Sequence, residues 1–425
     1  MIQEFKKVNK VSGELNLPGD KSISHRAVMF ASMAKGKSVI KNLSNGQDVG
    51  TTVKCFQQLG TEIKKEGSEI IVIGKGFKNF SKPSKLLDCG NSGTTARLIT
   101  GFLSAQDFET TLIGDESLSK RPMDRVTIPL TQMGARFESE NNRLPLKISP
   151  AKEIHPINYE MSVASAQIKS AVILAGLHCE STTSVIEKLP SRNHTEKMLG
   201  LEVKKNKSGN TILVSKINYP VPAEYFVPSD VSSAAFFVVL AILSKNSSLI
   251  IKNIGLNETR KGYLEILGQM GAKINYENIS VSGGETYGNI VVESGKLNNI
   301  EIPKEIIPNI IDEIPILSVA GLFAEGDFII KNAGELRKKE SDRISTLCYN
   351  YKLLGLQVDE FEDGFSISGE IKNKSIVFNS FEDHRIAMTF AILSMLLNGG
   401  GKVDNFDCVA ISNPDFLRQV QRITV

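Results

Sequence analysis

The sequence predicts an α/β protein with mixed sheets, folded as two domains of three similar units each. Three observations point there. At 425 residues the chain is too long for one ordinary core and suits two domains of about 200 residues each. A helix, Gly, strand pattern recurs, in which Phe56-Gln57-Gln58-Leu59-Gly60 is echoed around Gly134, Gly200, Gly271 and Gly355 at intervals of 66 to 84 residues. Each of these glycines falls where a helix needs a left-handed residue before a strand begins. Turn-flanked runs such as Glu69-Ile70-Ile71-Val72-Ile73 and Thr211-Ile212-Leu213-Val214 supply the strands.

Taken in order, Gly13 to Leu17 reads as a short strand, and Pro18-Gly19-Asp20-Lys21-Ser22-Ile23-Ser24-His25-Arg26 as a tight turn entering an apolar helix. Such a helix start can hold an anion, because its first N–H groups lack intrahelical partners and Lys21 and Arg26 add full charges. The plainer reading makes Ser22 or Ser24 an N-cap and leaves the cations in solvent. Asn91-Ser92-Gly93-Thr94-Thr95-Ala96-Arg97, Lys120-Arg121-Pro122-Met123-Asp124-Arg125, Lys338-Lys339-Glu340-Ser341-Asp342-Arg343 and Asp383-His384-Arg385 repeat the theme of small polar residues beside a cation. Several such turns in one chain favour a polyanionic substrate. Ile386 to Leu397, followed by Gly399-Gly400-Gly401, is expected to be a degenerate sixth copy of the repeat, giving three units per domain. Prolines at 220, 222 and 228 and the turn at 15–20 mark the crossings, so domains of 1–18 with 231–425, and of 19–230, are expected.

Composition narrows the class further. Acids and bases nearly balance, 47 against 50, Trp is absent and aromatics are 7%, so neither a polyanion groove nor a stacking platform for nucleic acid is indicated. The five dispersed cysteines form no CxxC, which fits reduced thiols, with no metal site expected. No apolar run reaches the roughly 18 residues of a membrane span, and a cytoplasmic protein is expected. GxGxxG and GxxxxGK[ST] are both missing, which speaks against a dinucleotide cofactor or nucleotide hydrolysis.

With these motifs in family order from about residue 8 to about residue 418, the chain resembles the 5-enolpyruvylshikimate-3-phosphate synthases. The resemblance implies two domains of three βαβαββ units, the inside-out α/β barrel of enolpyruvyl transferases. It implies transfer of the enolpyruvyl group of phosphoenolpyruvate to the 5-hydroxyl of shikimate-3-phosphate, with no cofactor, by a monomer with its active site in the cleft between domains. By the same resemblance Lys21, Ser22, Arg26, Ser165, Ala166, Gln167, Arg192, Asp312 and Lys339 bind shikimate-3-phosphate. Lys21, Asn91, Gly93, Thr94, Arg121, Gln167, Arg343 and Arg385 bind phosphoenolpyruvate. Asp312, in the apolar Ile310-Ile311-Asp312-Glu313-Ile314-Pro315, is the expected base for the 5-hydroxyl, and Glu340 the carboxylate that moves a proton at the methylene carbon, with Lys21 as a further relay. Taken alone, Glu340 reads as a solvated helix-end charge and Gly93 as an ordinary loop glycine.

Four motifs resemble the glyphosate-tolerant class: Gly19-Asp20-Lys21-Ser22, Ser165-Ala166-Gln167-Ile168-Lys169, Arg192-Asn193-His194-Thr195-Glu196 and Asn257-Glu258-Thr259-Arg260. Gly93 departs from those tolerant members that carry Ala there, and Ala410 to Asp415 lacks the family's late Lys. Two other readings stand beside this one. A transferase acting on UDP-N-acetylglucosamine would resemble a chain with Lys-Asn in the first loop and a cysteine near 115, where this chain has Lys21-Ser22 and Asp115. A non-enzymatic anion binder is the other.

Overall fold

The computed structural model describes residues 1–207, 209–372 and 376–424. Its chain forms two compact units: Met1–Pro18, Ser229–Ser280 and Thr286–Val425 make the first, and Gly19–Pro228 with Val281–Glu285 the second.

The second unit contains three four-stranded sheets of one design. In each, a short strand runs parallel to a second strand, which pairs antiparallel with a third, and that with a fourth. Glu224–Phe226 beside Lys35–Lys41, Glu69–Lys75 and Glu62–Glu66 form one, in the register Glu224↔Val39 and Val39↔Ile71. Leu87–Asp88 and Asn158–Glu160 begin the other two, beside Thr110–Ile113 and Thr183–Glu187. The first unit holds one further four-stranded sheet of this design and, among the described residues, two three-stranded sheets. Ser12–Asn16 lies parallel to Ser248–Gly255, and Gln3–Phe5 closes the sheet of Gly401–Val403 and Val377–Phe378, so the two N-terminal strands complete two different repeats, Gln3–Phe5 the last.

Two kinds of helix follow from two sequence patterns. Lys21–Met33, Gly93–Leu103 and Ala166–Gly176 in the second unit, and Val231–Leu243, Ile314–Leu322 and His384–Leu396 in the first, are buried along nearly their whole length. They are buried on nearly every face, mostly by apolar residues, with polar ones such as His25, Arg26 and Lys169 near their starts. Gly101 shows how closely they pack, since a Cβ there would lie 2.1 Å from the Ala171 carbonyl oxygen. Gln47–Gln58, Asp124–Gln132, His194–Leu199, Gly262–Gln269 and Arg343–Leu353 are one-sided helices, and each ends at one of the repeat glycines. Gly60, Gly134, Gly200, Gly271 and Gly355 all have positive φ, from +61° to +106°, as the pattern required.

The expected sixth copy is corrected. The Ile386 to Leu397 run belongs to a buried helix, whereas the one-sided helix of the last repeat is Phe416–Ile423. Thr424 after that helix bridges to Val11, and Gln3–Phe5 pairs with Gly401–Val403 of the same repeat. No helix among the described residues is long and apolar enough to cross a membrane.

Candidate active site

Several of the polar residues singled out by sequence lie where the buried helices begin. Lys21, Gly93 and Ala166 are the first residues of the second unit's three buried helices, and Asp20, Ser92 and Ser165 cap them by accepting from backbone N–H groups. The cap of the first is therefore Asp20, whose Oδ1 accepts from Ile23 N at 2.9 Å, and neither Ser22 nor Ser24. Ser24 Oγ instead accepts from Ser44 N at 3.0 Å.

Side chains tie these three helix starts together. Arg26 is buried and donates from Nε to Thr195 Oγ1 at 2.6 Å, from Nη2 to Ser170 Oγ at 2.7 Å, and from Nη1 to the Ser22 carbonyl at 2.9 Å. Burial draws its guanidinium down to about 10, which leaves it a cation at neutral pH. Lys21 Nζ pairs with Asp48 Oδ2 at 3.0 Å. Arg97 Nη1 donates to Gln167 Oε1 at 2.6 Å, and Gln167 Nε2 to Thr94 Oγ1 at 3.1 Å. Arg121 Nη2 donates to Asn91 Oδ1 at 3.0 Å and to Ser117 Oγ at 3.2 Å. A Cβ on Gly93 would stand 3.0 Å from Arg97 Nη1 and 3.4 Å from Arg121 Nη1, so this glycine keeps open the ground between two guanidinium groups. Behind the helix starts, a buried chain of polar groups runs from His25 Nδ1 to Thr52, Thr95 and Ser92, each step between 2.6 and 2.8 Å.

The first unit holds a second cluster. Asp312 precedes the buried Ile314–Leu322 helix, and its carboxylate meets Lys339 Nζ at 3.2 Å, Arg343 Nη1 at 3.3 Å and Arg385 Nη2 at 3.8 Å. The apolar segment thus turns its Asp312 carboxylate toward three cations. Arg385 Nη1 also donates to the Asp312 carbonyl at 2.9 Å. Glu340 Oε2 accepts from Arg343 Nη2 at 2.6 Å, so the two expected acid–base carboxylates share one guanidinium. Arg343 is buried, as is Asp383, the N-cap of the His384–Leu396 helix, which takes its Nε at 2.8 Å. Glu313 lies 3.5 Å from Arg385 Nη1 and accepts from Ser232 Oγ, which in turn accepts from Arg260.

The sequence reading passed over several of these residues. Arg97 carried no role, although it lies one helical turn after Gly93 and on the same face. Asp48 and Ser170 lie outside the motifs, Thr195 and Asp383 lie within them without a role, and their partners in the fold give all four one. Lys169, counted in a substrate-facing segment, is fully buried against Glu187 and Glu196. No cation replaces the missing late Lys within 410–415, and Arg418 further on is exposed and paired with Asp415. Among the described residues no group of three or more His, Cys, Asp or Glu side chains is gathered as a metal site would require.

Two units of three repeats, with polar clusters at the buried helix starts, define an enolpyruvyl transferase fold. The chain matches the structure of the enolpyruvyl transferase NikO from Streptomyces tendae with a TM-score of 0.79, over 99% of this chain and 97% of that one, at 14% identity. It belongs to the EPSP synthase (3-phosphoshikimate 1-carboxyvinyltransferase) family, whose model matches residues 5–420. The 3-phosphoshikimate 1-carboxyvinyltransferase of Oceanobacillus iheyensis is 46% identical over 416 residues, covering 97% of this chain and 96% of the relative. That of Caldicellulosiruptor bescii is 45% identical over 96% of this chain and 95% of the relative. An EPSP synthase structure from Acinetobacter baumannii matches with a TM-score of 0.87 at 37% identity, over 100% of this chain and 98% of that one.

Proposed function

We infer that the chain transfers the enolpyruvyl group of phosphoenolpyruvate to the 5-hydroxyl of shikimate-3-phosphate and releases phosphate, a step of the shikimate pathway toward aromatic amino acids. The observation that carries the residue assignment is the sharing of Arg343 by Asp312 and Glu340. A base and an acid are both needed, and here they are held beside cations that suit phosphate and carboxylate groups.

In this reading Asp312 takes the proton of the 5-hydroxyl as its oxygen attacks C2 of phosphoenolpyruvate, and Glu340 gives a proton to C3. The tetrahedral adduct then loses phosphate, which carries away the proton held by Asp312, and a proton leaves the new methyl group and returns to Glu340, with Lys21 as a further relay. Proton count and charge balance over the two steps. Arg343, Arg385, Arg121 and Lys21 hold phosphoenolpyruvate with Asn91, Gly93, Thr94 and Gln167. Arg26, Arg192, Lys339, Ser22, Ser165, Ala166 and Gln167 hold shikimate-3-phosphate with Lys21. Arg97 joins the phosphoenolpyruvate group through Gln167. The mechanism uses charge and hydrogen bonds alone, and a cytoplasmic monomer of the glyphosate-tolerant class fits it. Gly93 limits the tolerance to an intermediate degree.

The test is phosphate release from the purified chain with both substrates, repeated with Asp312→Asn and Glu340→Gln. Release that needs both substrates and falls by about 10²-fold or more in each variant is expected. Full activity in either variant would overturn that residue's role. Release with UDP-N-acetylglucosamine in place of shikimate-3-phosphate would overturn the acceptor.

A further inference from the structure

Two of the segments picked out by sequence, Ser165–Lys169 and Arg192–Glu196, are joined by an ion cluster sealed from water. Lys169 Nζ lies 2.8 Å from Glu187 Oε2 and 2.6 Å from Glu196 Oε1, and the three side chains are 0%, 3% and 4% exposed. Clusters of this kind are expensive to desolvate, and apolar side chains of similar shape often serve stability as well or better. Stability alone therefore does not account for it.

What the cluster does is fix neighbours. Glu187 Oε2 also accepts from Ser191 N at 3.1 Å and Ser191 Oγ at 2.9 Å, and Glu187 Oε1 from Asn210 Nδ2 at 3.2 Å. This anchors the exposed turn 188–190 one residue before Arg192. Glu196 follows Thr195, and Lys169 precedes Ser170. The hydroxyls of Thr195 and Ser170 bond each other at 2.7 Å and together receive Arg26 Nε and Nη2. The two hydroxyls that receive Arg26 Nε and Nη2, and Ser191 just before Arg192, are thus each bonded to a member of the cluster or adjacent to one.

We propose that Lys169, with Glu187 and Glu196, is a positioning cluster for the acceptor substrate: it sets the spacing of Arg26 and Arg192 and touches no substrate itself. The proposal rests on the assignment of those two arginines to shikimate-3-phosphate. It predicts that the cluster matters for one substrate and not for the other.

The discriminating variant is the double replacement Lys169→Met with Glu196→Gln in the full chain. It removes one positive and one negative charge, so no new net charge is buried, and it leaves Glu187 with Ser191 and Asn210. A single Lys169→Met would leave two buried carboxylates without their cation and could fail to fold. For the double variant, KM for shikimate-3-phosphate is expected to rise by on the order of tenfold to a hundredfold. The turnover number and KM for phosphoenolpyruvate are expected to stay within about threefold, and the melting temperature within a few degrees, of the parent. A calorimetric titration with shikimate-3-phosphate alone should show the same loss of affinity. A folded double variant with unaltered affinity for shikimate-3-phosphate would overturn the proposal. Equal losses for both substrates would too, since they would mark a merely structural cluster. If the parent binds shikimate-3-phosphate but does not turn it over, the catalytic reading fails while the titration still decides the positioning. A parent that does not bind it overturns both.

Discussion

Asp383 holds Arg343 with the carboxylate that also starts a helix. Its Oδ2 accepts from Arg343 Nε at 2.8 Å, and its Oδ1 accepts from the Arg385 amide at 2.8 Å and lies 3.2 Å from Arg343 Nη2. Both residues are buried. Burial pulls the Arg343 guanidinium down, but Asp383, Glu340 and Asp312 outweigh it and raise it. Burial pushes the Asp383 carboxyl up, and Arg343 outweighs that and holds it below its usual range. Both shifts favour the ionised pair.

The consequence is a position where function and stability fall together. Asp383→Asn leaves a buried guanidinium short of one counter-charge, so a destabilisation of about 3 kcal/mol is expected. Urea unfolding of parent and variant would measure it. The depressed carboxyl also means that this stabilisation is present above the ordinary carboxylate range and is lost as pH falls through the lower, folded value. Activity should fall at least about a hundredfold, because Arg343 carries both Asp312 and Glu340. An unchanged unfolding midpoint would remove Asp383 from this account.

Gly93→Ala tests the ground between two arginines. The position has ordinary helical φ, so alanine fits the backbone, and the added methyl meets Arg97 Nη1 at 3.0 Å and Arg121 Nη1 at 3.4 Å. These are the ends of long side chains, but Gln167 and Asn91 restrain them. Stability should change by no more than about 0.5 kcal/mol. KM for phosphoenolpyruvate should rise roughly fivefold, about 1 kcal/mol of lost binding. The inhibition constant of the longer glyphosate should rise further, and KM for shikimate-3-phosphate should hold steady. An inhibition constant that does not move in steady-state assays would sink the idea.

The positions of these groups were legible in sequence to different depths. The five repeat glycines could be read because the need for positive φ is local, and so could the helix start at Lys21, whereas Gly93, which alone reads as a loop glycine, opens a helix. The partners that give the cations their geometry could not. Lys21 and Asp48 are 27 residues apart, Arg97 and Gln167 are 70, and Arg26 and Ser170 are 144, and only the packing of the buried helices brings them together. The same limit hid the role of Lys169: a lysine at a helix start reads as an anion ligand until its neighbours show two carboxylates behind it. The last repeat misled for another reason, since apolar residues all round a helix imitate a one-sided pattern when counted along one face.

His25 ties folding stability to acid. It is fully buried, and burial lowers its imidazole from 6.5 to about 3. The unfolded chain takes up a proton at His25 below about pH 6.5, whereas the folded chain does not until about pH 3. Stability is therefore lost as pH falls across that window. Between pH 7 and pH 5 the loss from this one residue is about 2 kcal/mol. His25→Asn, which cannot titrate there, should reduce the difference in urea-unfolding free energy between the two pH values by that amount. A difference equal to the parent's would show that His25 is protonated in the folded chain.

Arg337 is the residue that the structure adds to the proposed acid–base cluster, with no hydrogen bond to Asp312, Lys339 or Glu340. Its guanidinium makes five hydrogen bonds: to the carbonyls of Phe361 and Glu362, to Asp342 Oδ2, to Ser345 Oγ and to Glu360 Oε1. The other oxygen of Asp342 caps the Arg343–Leu353 helix through Ser345 N at 3.1 Å. Arg337 thus fastens both ends of the segment that carries Lys339 and Glu340, on one side to the hairpin of Gln357–Phe361 and Gly364–Ser368, on the other to the helix start at Arg343. Its removal leaves every reacting group present but loosely held. Arg337→Met should lower the turnover number about tenfold with both KM values within about threefold, since proton transfer depends on placement more steeply than binding does. Arg337→Lys should not restore it, because one ammonium cannot span two carbonyls and two carboxylates. Stopped phosphate-release assays on the three proteins read the effect directly, and a lysine variant as active as the parent would reduce Arg337 to a surface charge.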